Sequence, residues 1–418
     1  MMLWRLAWRN LTRNRTRSLL AIGGMAIATV MLVWNVGFMD GFYNMMIRGA
    51  TDVEIGQVQV QHRDYAERPA TVDTMVWDDE LAETIRGTPG VRAATPRVRL
   101  FGIVGHEERS NVGLIMGVDP EMEPRVTVIA EGLVDGRWIS EETSDGGVVE
   151  AVIGRGLSQT LGVEVGDELV VIAEGVDGSM GDALLEVVGI VATGSSVVDR
   201  QVVLMHLEEA QFIAAMEGVV HEAVLSIDDP AAAIPVARAV SARVEAIGRD
   251  ELAVRPWQEV ATSLYELLQI GDQSNYVIYL VIFLIVGLGV LNALRMSARE
   301  RYREFGVMLA VGFSRARLFA MVMLEGLVLG FVGAVVGGTA GAALVWYYKV
   351  YGLNFGAFVD GDVTYMGVSF SERVYFAMDL STVLEPAIGL MLMAFVCSLW
   401  PAVASIRLVP RDAITGRQ

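Results

Sequence analysis

The sequence of 418 residues contains one lysine and one cysteine. The lysine, Lys349, is not part of a G-x-x-x-x-G-K-S/T sequence, which excludes nucleotide hydrolysis by a P-loop. Cys397 has no second cysteine to pair with, so no disulfide can form within the chain. The histidines are scattered and fit no metal-binding spacing: His62, His106, His206 and His221. G-x-S-x-G is also absent, and we therefore predict no catalytic, cofactor or metal site in this chain.

The sequence is rich in long apolar runs, with 53% hydrophobic residues and a mean hydropathy of +0.45. Four runs stand out, at residues 18–38, 275–294, 318–347 and 383–406. Each has about the ~20 residues that are needed to cross the hydrocarbon core of a bilayer. We predict an α-helical membrane domain of four transmembrane helices. A large mixed α+β extracytoplasmic domain, residues 39–274, is inserted between helices 1 and 2.

The net charge of −18 is distributed unevenly along the chain. Residues 40–272 hold 41 Asp and Glu against 16 Arg, a net charge of −25, which argues against nucleic acid as a partner. Residues 1–17 hold five arginines and no acid, the loop at 295–317 carries +4, and the tail at 407–418 carries +2. Because cytoplasmic loops carry an excess of basic residues, we predict that both termini and this loop are cytoplasmic. The acidic domain and the short 348–382 connection are then outside.

Residues 1–17 have two compatible interpretations. Apolar side chains recur at helical spacing while arginines repeat every four residues on another face, which predicts an interfacial helix on the inner leaflet. The simpler interpretation is a basic flank of the first span. A cleaved signal peptide fits less well, because the apolar run is too long for one and no small-x-small cleavage site is clear.

The outer domain shows short β-branched runs bounded by Gly, Asp or Pro. These predict strands at 58–62, 112–118, 148–153, 168–173 and 184–191. Helical patterns are found at 157–161, 208–216 and 231–247. Because the part at about 121–200 is rich in strands and lacks long helical patterns, we predict that it forms a subdomain between two α+β halves.

The third apolar run carries a stripe of small residues at spacings of three or four. The stripe contains Gly326, Gly330, Ala334, Gly337 and Gly341. Small residues in register let helix backbones approach closely, so we predict a helix-packing face. The alternative is the general enrichment of glycine in membrane spans. The sequence does not indicate whether the partner helix belongs to the same chain.

Glu325 is the one carboxylate that the pattern places within the hydrocarbon region. It follows Arg317 by about eight residues, which is ~12 Å along a helix. A carboxylate at that depth is costly and needs a partner. We predict a buried hydrogen bond or ion pair with a cytoplasmic arginine or a helix terminus, acting in coupling. The alternative is a protonated acid that is satisfied by packing.

The segment from 295 to 342 resembles the repeated module of the FtsX-like ABC permeases. The matching residues are Arg303, Glu304, Gly306, Gly312, Arg315 and Glu325. The chain end, with Pro401 followed by "RLVPRDAITGR", is similar to the closing pattern of the same family. Residues 56–69 and 152–171 look like the lipoprotein-releasing (LolC/LolE-type) branch, which shares the length, the order of elements and a separate ATPase. MacB-type exporters resemble this chain too, but they carry a fused ATPase.

The resemblance implies a permease subunit in the bacterial inner membrane that transmits mechanical work. A separate cytoplasmic ABC ATPase dimer would bind ATP and Mg, and the loop at 295–317 would act as its coupling helix. The candidate coupling residues are Arg299, Glu300, Arg301, Arg303, Glu304, Gly306 and Gly312. The implied partners are a second permease copy or a related permease, membrane lipids, and a lipoprotein or another periplasmic partner.

A different class of function is a membrane sensor whose outer domain binds a peptide or an envelope component. In that case the basic loop would regulate a cytoplasmic protein such as a kinase. The two classes differ in the partner of the loop, and co-purification of that partner distinguishes them. The sequence names neither the cargo nor the choice between a homodimer and a heterodimer.

Overall fold

The computed structural model describes residues 15–67, 70–143, 148–354, 364–365, 368–369 and 373–408. The predicted interfacial helix before residue 15 and the tail after residue 408 lie outside the described residues. The chain divides into two compact units. The first contains the chain up to Asn44, Leu268–Phe355 and the chain from Arg373 onward, and the second is mainly Met45–Leu267.

The helices and strands are as follows. The helices are α1 (Arg15–Ala50), α2 (Arg63–Glu67), α3 (Asp79–Arg86), α4 (Glu123–Val126), α5 (Arg155–Leu161), α6 (Ser196–Gln201), α7 (Leu207–Ile213), α8 (Ala233–Ala246), α9 (Trp257–Val260), α10 (Thr262–Glu300), α11 (Tyr302–Ala310), α12 (Arg315–Tyr351) and α13 (Leu380–Ile406). The strands are β1 (Val58–His62), β2 (Met75–Val76), β3 (Val91–His106), β4 (Arg109–Val118), β5 (Leu133–Gly136), β6 (Val149–Gly154), β7 (Glu168–Glu174), β8 (Met180–Val191), β9 (Val202–His206), β10 (Val219–Val220), β11 (Glu222–Ile227), β12 (Leu252–Pro256), β13 (Leu353–Asn354), β14 (Thr364–Tyr365), β15 (Val368–Ser369) and β16 (Arg373–Val374).

The first unit is a helical bundle. Four helices of the described residues are long and apolar enough to cross a membrane: Ser18–Ile55, Thr262–Glu300, Arg315–Tyr351 and Leu380–Ile406. The first of these is α1 continued by a five-residue π-helix, Thr51–Ile55. The helices extend beyond the predicted apolar runs, because helical backbone continues through the polar residues that flank a hydrocarbon core. Met25, Val290, Val328 and Ala394 bring all four helices into one apolar cluster.

The second unit is built on one large mixed sheet. The strand order is β12-β1-β11-β3-β4-β9-β6-β8-β5, and β7 pairs with both β3 and β8. Only the β4–β9 and β6–β8 pairs of this sheet are parallel. Leucine, valine and methionine side chains such as Met116, Val152 and Leu204 fill the core between the sheet and the short helices.

The structure differs from the prediction of a separate subdomain at about 121–200. Its strands do not form a sheet of their own, since β9 pairs with β4 and β7 pairs with β3. The link is β3, a strand of 16 residues that pairs with β11 over its first half and with β7 near its end. The five strands and three helices predicted in this domain are present, with ends that shift by a few residues.

A buried ionic network lies where β3 meets the segment that follows α1. Arg97 and Glu123 are both 0% exposed, and Arg97 donates hydrogen bonds to both carboxylate oxygens of Glu123. Arg97 also donates to the backbone carbonyl of Glu54, and Glu123 accepts a further hydrogen bond of 2.7 Å from Thr127. The pair is therefore fully hydrogen-bonded, which is the condition under which buried charges are tolerated.

Arg99 extends this network along the same strand. Its guanidinium contacts the carboxylates of Glu54 at 3.1 Å and Glu222 at 3.4 Å. Next to it, the backbone N–H of Arg99 donates to Nδ1 of His221 at 3.0 Å. Nε2 of His221 must then carry the proton, which it donates to the carbonyl of Thr71 at 3.0 Å. Burial lowers the pKa of His221, so the imidazole stays neutral.

Candidate functional site: the connection between the second and third apolar helices

The connection between α10 and α12 is not one continuous helix. α10 ends at Glu300, and Arg301 takes a non-helical conformation (φ −97°, ψ 10°) before α11 begins. After α11, Gly312 adopts a left-handed φ of +94°, a conformation that glycine accepts without strain. Ser314 then caps α12, because its hydroxyl accepts a hydrogen bond from the N–H of Arg317. The connection therefore contains a short, separately formed helix with defined ends.

One side of α11 packs firmly on the bundle. Phe305 is 2% exposed and belongs to an apolar cluster with Leu318 and Met321 of α12 and Ala402 of α13. The opposite side presents apolar surface, since Val307 is 51% exposed and Val311, just beyond the helix, is 84% exposed. A contiguous exposed apolar patch with a polar rim marks a surface that binds another protein, and Val307 and Val311 are candidates for such a patch.

Arg301 forms the polar anchor of the same connection. Its Nη1 donates a hydrogen bond of 2.8 Å to Oε2 of Glu325 on α12. Both residues are buried, at 8% and 6% exposure. The Nε of Arg301 contacts Oε2 of Glu304 at 3.3 Å, and its guanidinium lies 5.1 Å from the ring centre of Phe305. Among the described residues, Nη2 of Arg301 has no hydrogen-bond partner.

This geometry gives Glu325 the kind of partner that we predicted, an arginine of the basic loop. That the Arg301–Glu325 pair couples the ATPase to the membrane helices stays a prediction. The sequence did not distinguish Arg301 from the other arginines of the loop. The only available signal was its distance from Glu325, 24 residues along the chain and one helix away.

The other predicted coupling residues fall at different levels of exposure. Arg299, Glu300 and Arg303 are exposed, Glu304 is half-buried, and Gly306 is buried. The four-residue spacing between Glu300 and Glu304 predicts that both lie one turn apart on the same helix. This expectation is wrong, because Glu300 ends α10 and Glu304 belongs to α11. The break places Arg301 between the two helices, where it reaches Glu325. The coupling role of these residues stays a prediction.

The glycine stripe packs against two partner helices within this chain. A methyl group at Gly330 would lie 2.9 Å from Cβ of Ala394 on α13. One at Gly337 would lie 2.5 Å from the carbonyl oxygen of Ala26 on α1. The same division holds for the ends of the stripe, where Gly326 faces α13 and Gly341 faces α1. The stripe is thus shared between two neighbours, and Gly333, which is off the predicted stripe, joins the second group by approaching Met25.

The described residues of the second unit also contain one group of potential metal ligands. His62, Asp64 and Asp73 bring ligand atoms within 4.8 Å of one another. Sequence spacing does not reveal it, because Asp73 comes from a separate loop. Nδ1 of His62 already accepts the N–H of Asp64 at 3.3 Å, and Asp64 is largely exposed. We assign no metal here.

Comparison with known families agrees with this architecture. Residues 18–243 match the model of the MacB-like periplasmic core domain, and residues 276–410 match the FtsX-like permease C-terminal model. The first match alone covers more than half of the chain. The chain therefore belongs to the FtsX-like ABC transporter permeases that carry a MacB-like periplasmic core domain, as we predicted.

Among the members of this permease family, the chain is similar over nearly its whole length to lipoprotein-releasing permeases. The chain is 23% identical to the lipoprotein-releasing system transmembrane protein LolC of Neisseria meningitidis, over 95% of this chain and 93% of the relative. It is 23% identical to LolE of Haemophilus influenzae, over 94% and 92%. Among solved structures, the periplasmic region of MacB from Actinobacillus actinomycetemcomitans matches at 12% identity, with a TM-score of 0.38, over 52% of this chain and 95% of that chain.

These findings define the chain at a coarse level. It is an ABC transporter permease of the LolC/LolE/MacB type, located in the inner membrane with a periplasmic domain after its first helix. Permease subunits of this kind are not catalytic themselves. The predicted fold class is confirmed.

Proposed function

We propose that this chain is the membrane subunit through which a separate cytoplasmic ABC ATPase moves the periplasmic domain. The ATPase dimer binds ATP and Mg²⁺, and it engages two permeases, either two copies of this chain or one copy and a related chain. Both termini and the 295–317 connection are cytoplasmic. The work done outside the membrane is lipoprotein release or the export of another envelope substrate. Family membership supports the ATPase and the dimer, and the names of the LolC and LolE relatives support the lipoprotein cargo.

The observation that carries this proposal is the way α11 is attached. Phe305 and Arg301 fix it to the ends of α12 and α13, while Val307 and Val311 remain exposed. A helix that is anchored by a buried ion pair and an aromatic side chain moves together with the helix that holds it. A push on its exposed side is therefore passed to α12 at Glu325, which lies about 15 Å into that helix at ~1.5 Å per residue.

The test is co-purification of the chain with its ATPase, together with ATP turnover in the reconstituted complex. We expect Val307→Asp to abolish ATPase binding, because it places a charge in an apolar contact. We expect Glu304→Ala to weaken binding or coupling by roughly 30-fold or more. The bound ATPase would cover this partly exposed carboxylate, and truncating one partner of a desolvated charge pair costs ~2–5 kcal/mol. The control is Arg373→Ala on the predicted outer side, which should behave like the parent. If both loop variants bind and turn over like the parent, α11 is only a topological anchor.

The orientation is tested separately with single cysteines in a Cys397→Ala background. Val311→Cys and Ser179→Cys are both at exposed positions, the first beside α11 and the second in the β7–β8 turn. With a membrane-impermeant thiol reagent and a permeabilised outer membrane, Ser179→Cys should react and Val311→Cys should not. The reverse pattern would contradict the proposal, and capture of a kinase in place of an ATPase would favour the sensor function.

A further inference from the structure

A cavity of about 160 Å³ lies where the end of α10, the start of α11 and the end of α13 come together. Its walls include two arginines, Arg295 and Arg299, and three aromatic residues, Tyr302, Phe305 and Trp400. The remaining lining residues are small or apolar, apart from one serine. The cavity thus combines positive charge with an apolar wall, within one compact unit of the chain.

The two arginines carry charge that the described residues do not neutralise. Arg295 is half-buried, and its guanidinium stacks on the indole of Trp400 with 4.6 Å between its central carbon and the ring centre. Arg299 follows four residues later on the same helix, so both project toward one side of α10. Neither forms an ion pair with any residue that the structure describes. By contrast, the neighbouring Arg301 has its carboxylate partner in Glu325.

The surroundings of the cavity indicate the kind of anion that would bind. Leu288 on α10, two turns before the cavity residue Arg295, and Leu399 on α13, next to the cavity residue Trp400, are exposed apolar residues. Both helices are long and apolar enough to span a membrane, and this cavity is at their ends. A free phosphate ion makes no favourable contact with this apolar surface, whereas the acyl chains of a phospholipid pack along it. Basic pockets between membrane helices at the cytoplasmic side are known to bind anionic headgroups.

We propose that this cavity is a binding site for the headgroup of an anionic phospholipid. The lipid phosphate is held by Arg295 and Arg299, and Tyr302 belongs to the same lining. The acyl chains follow the surface at Leu288 and Leu399. The assignment to the inner leaflet rests on the cytoplasmic orientation proposed above, but the binding site does not. The Arg295–Trp400 stacking keeps one guanidinium in position before the lipid arrives.

The test uses the purified full-length chain in nanodiscs or mild detergent, without an ATPase. Native mass spectrometry or a lipid titration compares phosphatidylglycerol with phosphatidylcholine. We expect the parent chain to prefer phosphatidylglycerol, and Arg295→Gln to weaken that binding about fivefold, since one basic residue near a membrane surface contributes about that factor. Arg295→Gln/Arg299→Gln should lose roughly 25-fold. Arg295→Lys, which keeps the charge, should stay within about twofold of the parent.

The matched control is Arg317→Gln, an exposed arginine at the start of α12 that does not line the cavity. It should bind phosphatidylglycerol like the parent chain. Equal lipid binding by parent and double variant would overturn the proposal, and so would full displacement of the lipid by inorganic phosphate at equal concentration. The double variant can also be tested in the co-purification experiment described above. If it keeps lipid binding but no longer co-purifies with the ATPase, the two arginines belong to the interface with that protein instead. Because the lipid assay contains no ATPase, its failure does not bear on the proposed transport function.

Discussion

The two units each bury an arginine, and they do so in different ways. In the periplasmic domain, Arg97 meets both oxygens of Glu123 and a backbone carbonyl, and both side chains are fully buried. In the bundle, Arg301 donates one hydrogen bond of 2.8 Å to Glu325 and a longer one of 3.3 Å to Glu304, and its Nη2 has no partner among the described residues. Every side-chain nitrogen of Arg97 therefore has a hydrogen-bond partner, whereas one nitrogen of Arg301 has none among the described residues.

The two arginines differ in how completely their hydrogen-bond donors are satisfied, and this decides how easily each can change partners. A fully satisfied buried network has one good arrangement, because every change leaves a charge or a donor unpaired. A partly satisfied arginine can exchange partners at lower cost, especially when one carboxylate, here Glu304 with 36% of its side chain exposed, still meets solvent. We interpret Arg97 as a fixed structural element, and under the proposed function Arg301 is the candidate for a residue that changes partners.

The largest expected effect is from Arg97→Met, which leaves Glu123 buried without its partner. We expect the free energy of unfolding of the domain to fall by about 3–5 kcal/mol. Urea unfolding of the full chain in detergent measures it, followed by tryptophan fluorescence, to which Trp138 contributes from its position against the domain core. Arg97→Met/Glu123→Leu should recover most of the loss, since an apolar pair can replace a buried ion pair.

The matched control for this experiment is Arg125→Met, which removes an ion pair with Glu121 whose side chains are 59% and 58% exposed. Exposed pairs one helical turn apart contribute about 0.3–0.5 kcal/mol. An equal loss at both positions would show that the burial of the Arg97 pair has no special weight.

The next largest loss of stability is expected from Gly337→Leu. This variant tests close helix packing in the bundle, which has no ionic network like that of Arg97 among the described residues. The added side chain would meet the backbone of α1 at Ala26, and we expect a loss of about 1–3 kcal/mol or more, as in other overpacked interiors. At Gly338 the nearest atom to an added methyl group is 3.6 Å away, so Gly338→Leu should cost less. Thermal unfolding and gel filtration in detergent compare the two. Equal losses would mean that the bundle does not depend on this close approach.

Arg301→Gln should separate stability from function. Because Arg301 has few hydrogen bonds to lose, we expect its thermal stability cost to be smaller than that of Arg97→Met. We expect the coupling of ATP turnover to transport to fall by about 2- to 30-fold, the range given by 0.5–2 kcal/mol for residues along a coupling route. The measurement is turnover in the complex with the ATPase, beside the melting temperature of the chain alone. A large loss of stability with intact coupling would reverse our interpretation of the two arginines.

The smallest expected effect is the contribution of His221 to the pH dependence of the free energy of unfolding. Burial lowers its pKa below the ordinary value of 6.5, so the unfolded chain binds the proton more readily than the folded chain. The contribution to stability is therefore fully present above about pH 6.5 and decreases as the pH falls below it. His221→Gln should remove this part of the slope when the two unfolding curves are compared between pH 5 and 7. Identical slopes would mean that His221 does not differ in pKa between the two states.

The sequence predicts the parts of this molecule whose physics is local. Long apolar runs identify all four helices, and β-branched runs such as Val58–His62 identify half of the large sheet. It misses β3, because Pro96, Arg97 and Arg99 interrupt the apolar pattern of that strand. Arg97 is buried and Arg99 half-buried only because Glu123, Glu54 and Glu222 come from distant segments. The helix break at Arg301 is missed for the same reason, since it depends on a carboxylate in the next helix.

The length of β3 has a mechanical consequence. A strand of 16 residues extends about 50 Å at ~3.3 Å per residue. The network around Glu54 holds the strand at Arg97, its seventh residue, and the nine residues beyond it pair with β4 and, near the end, with β7. The stretch from Arg97 to His106 spans about 30 Å, so a tilt of roughly five degrees at Arg97 would displace the far end of the strand by roughly 2.5 Å. A small rotation at Arg97 would thereby be converted into a displacement of about half the ~4.8 Å spacing between neighbouring strands.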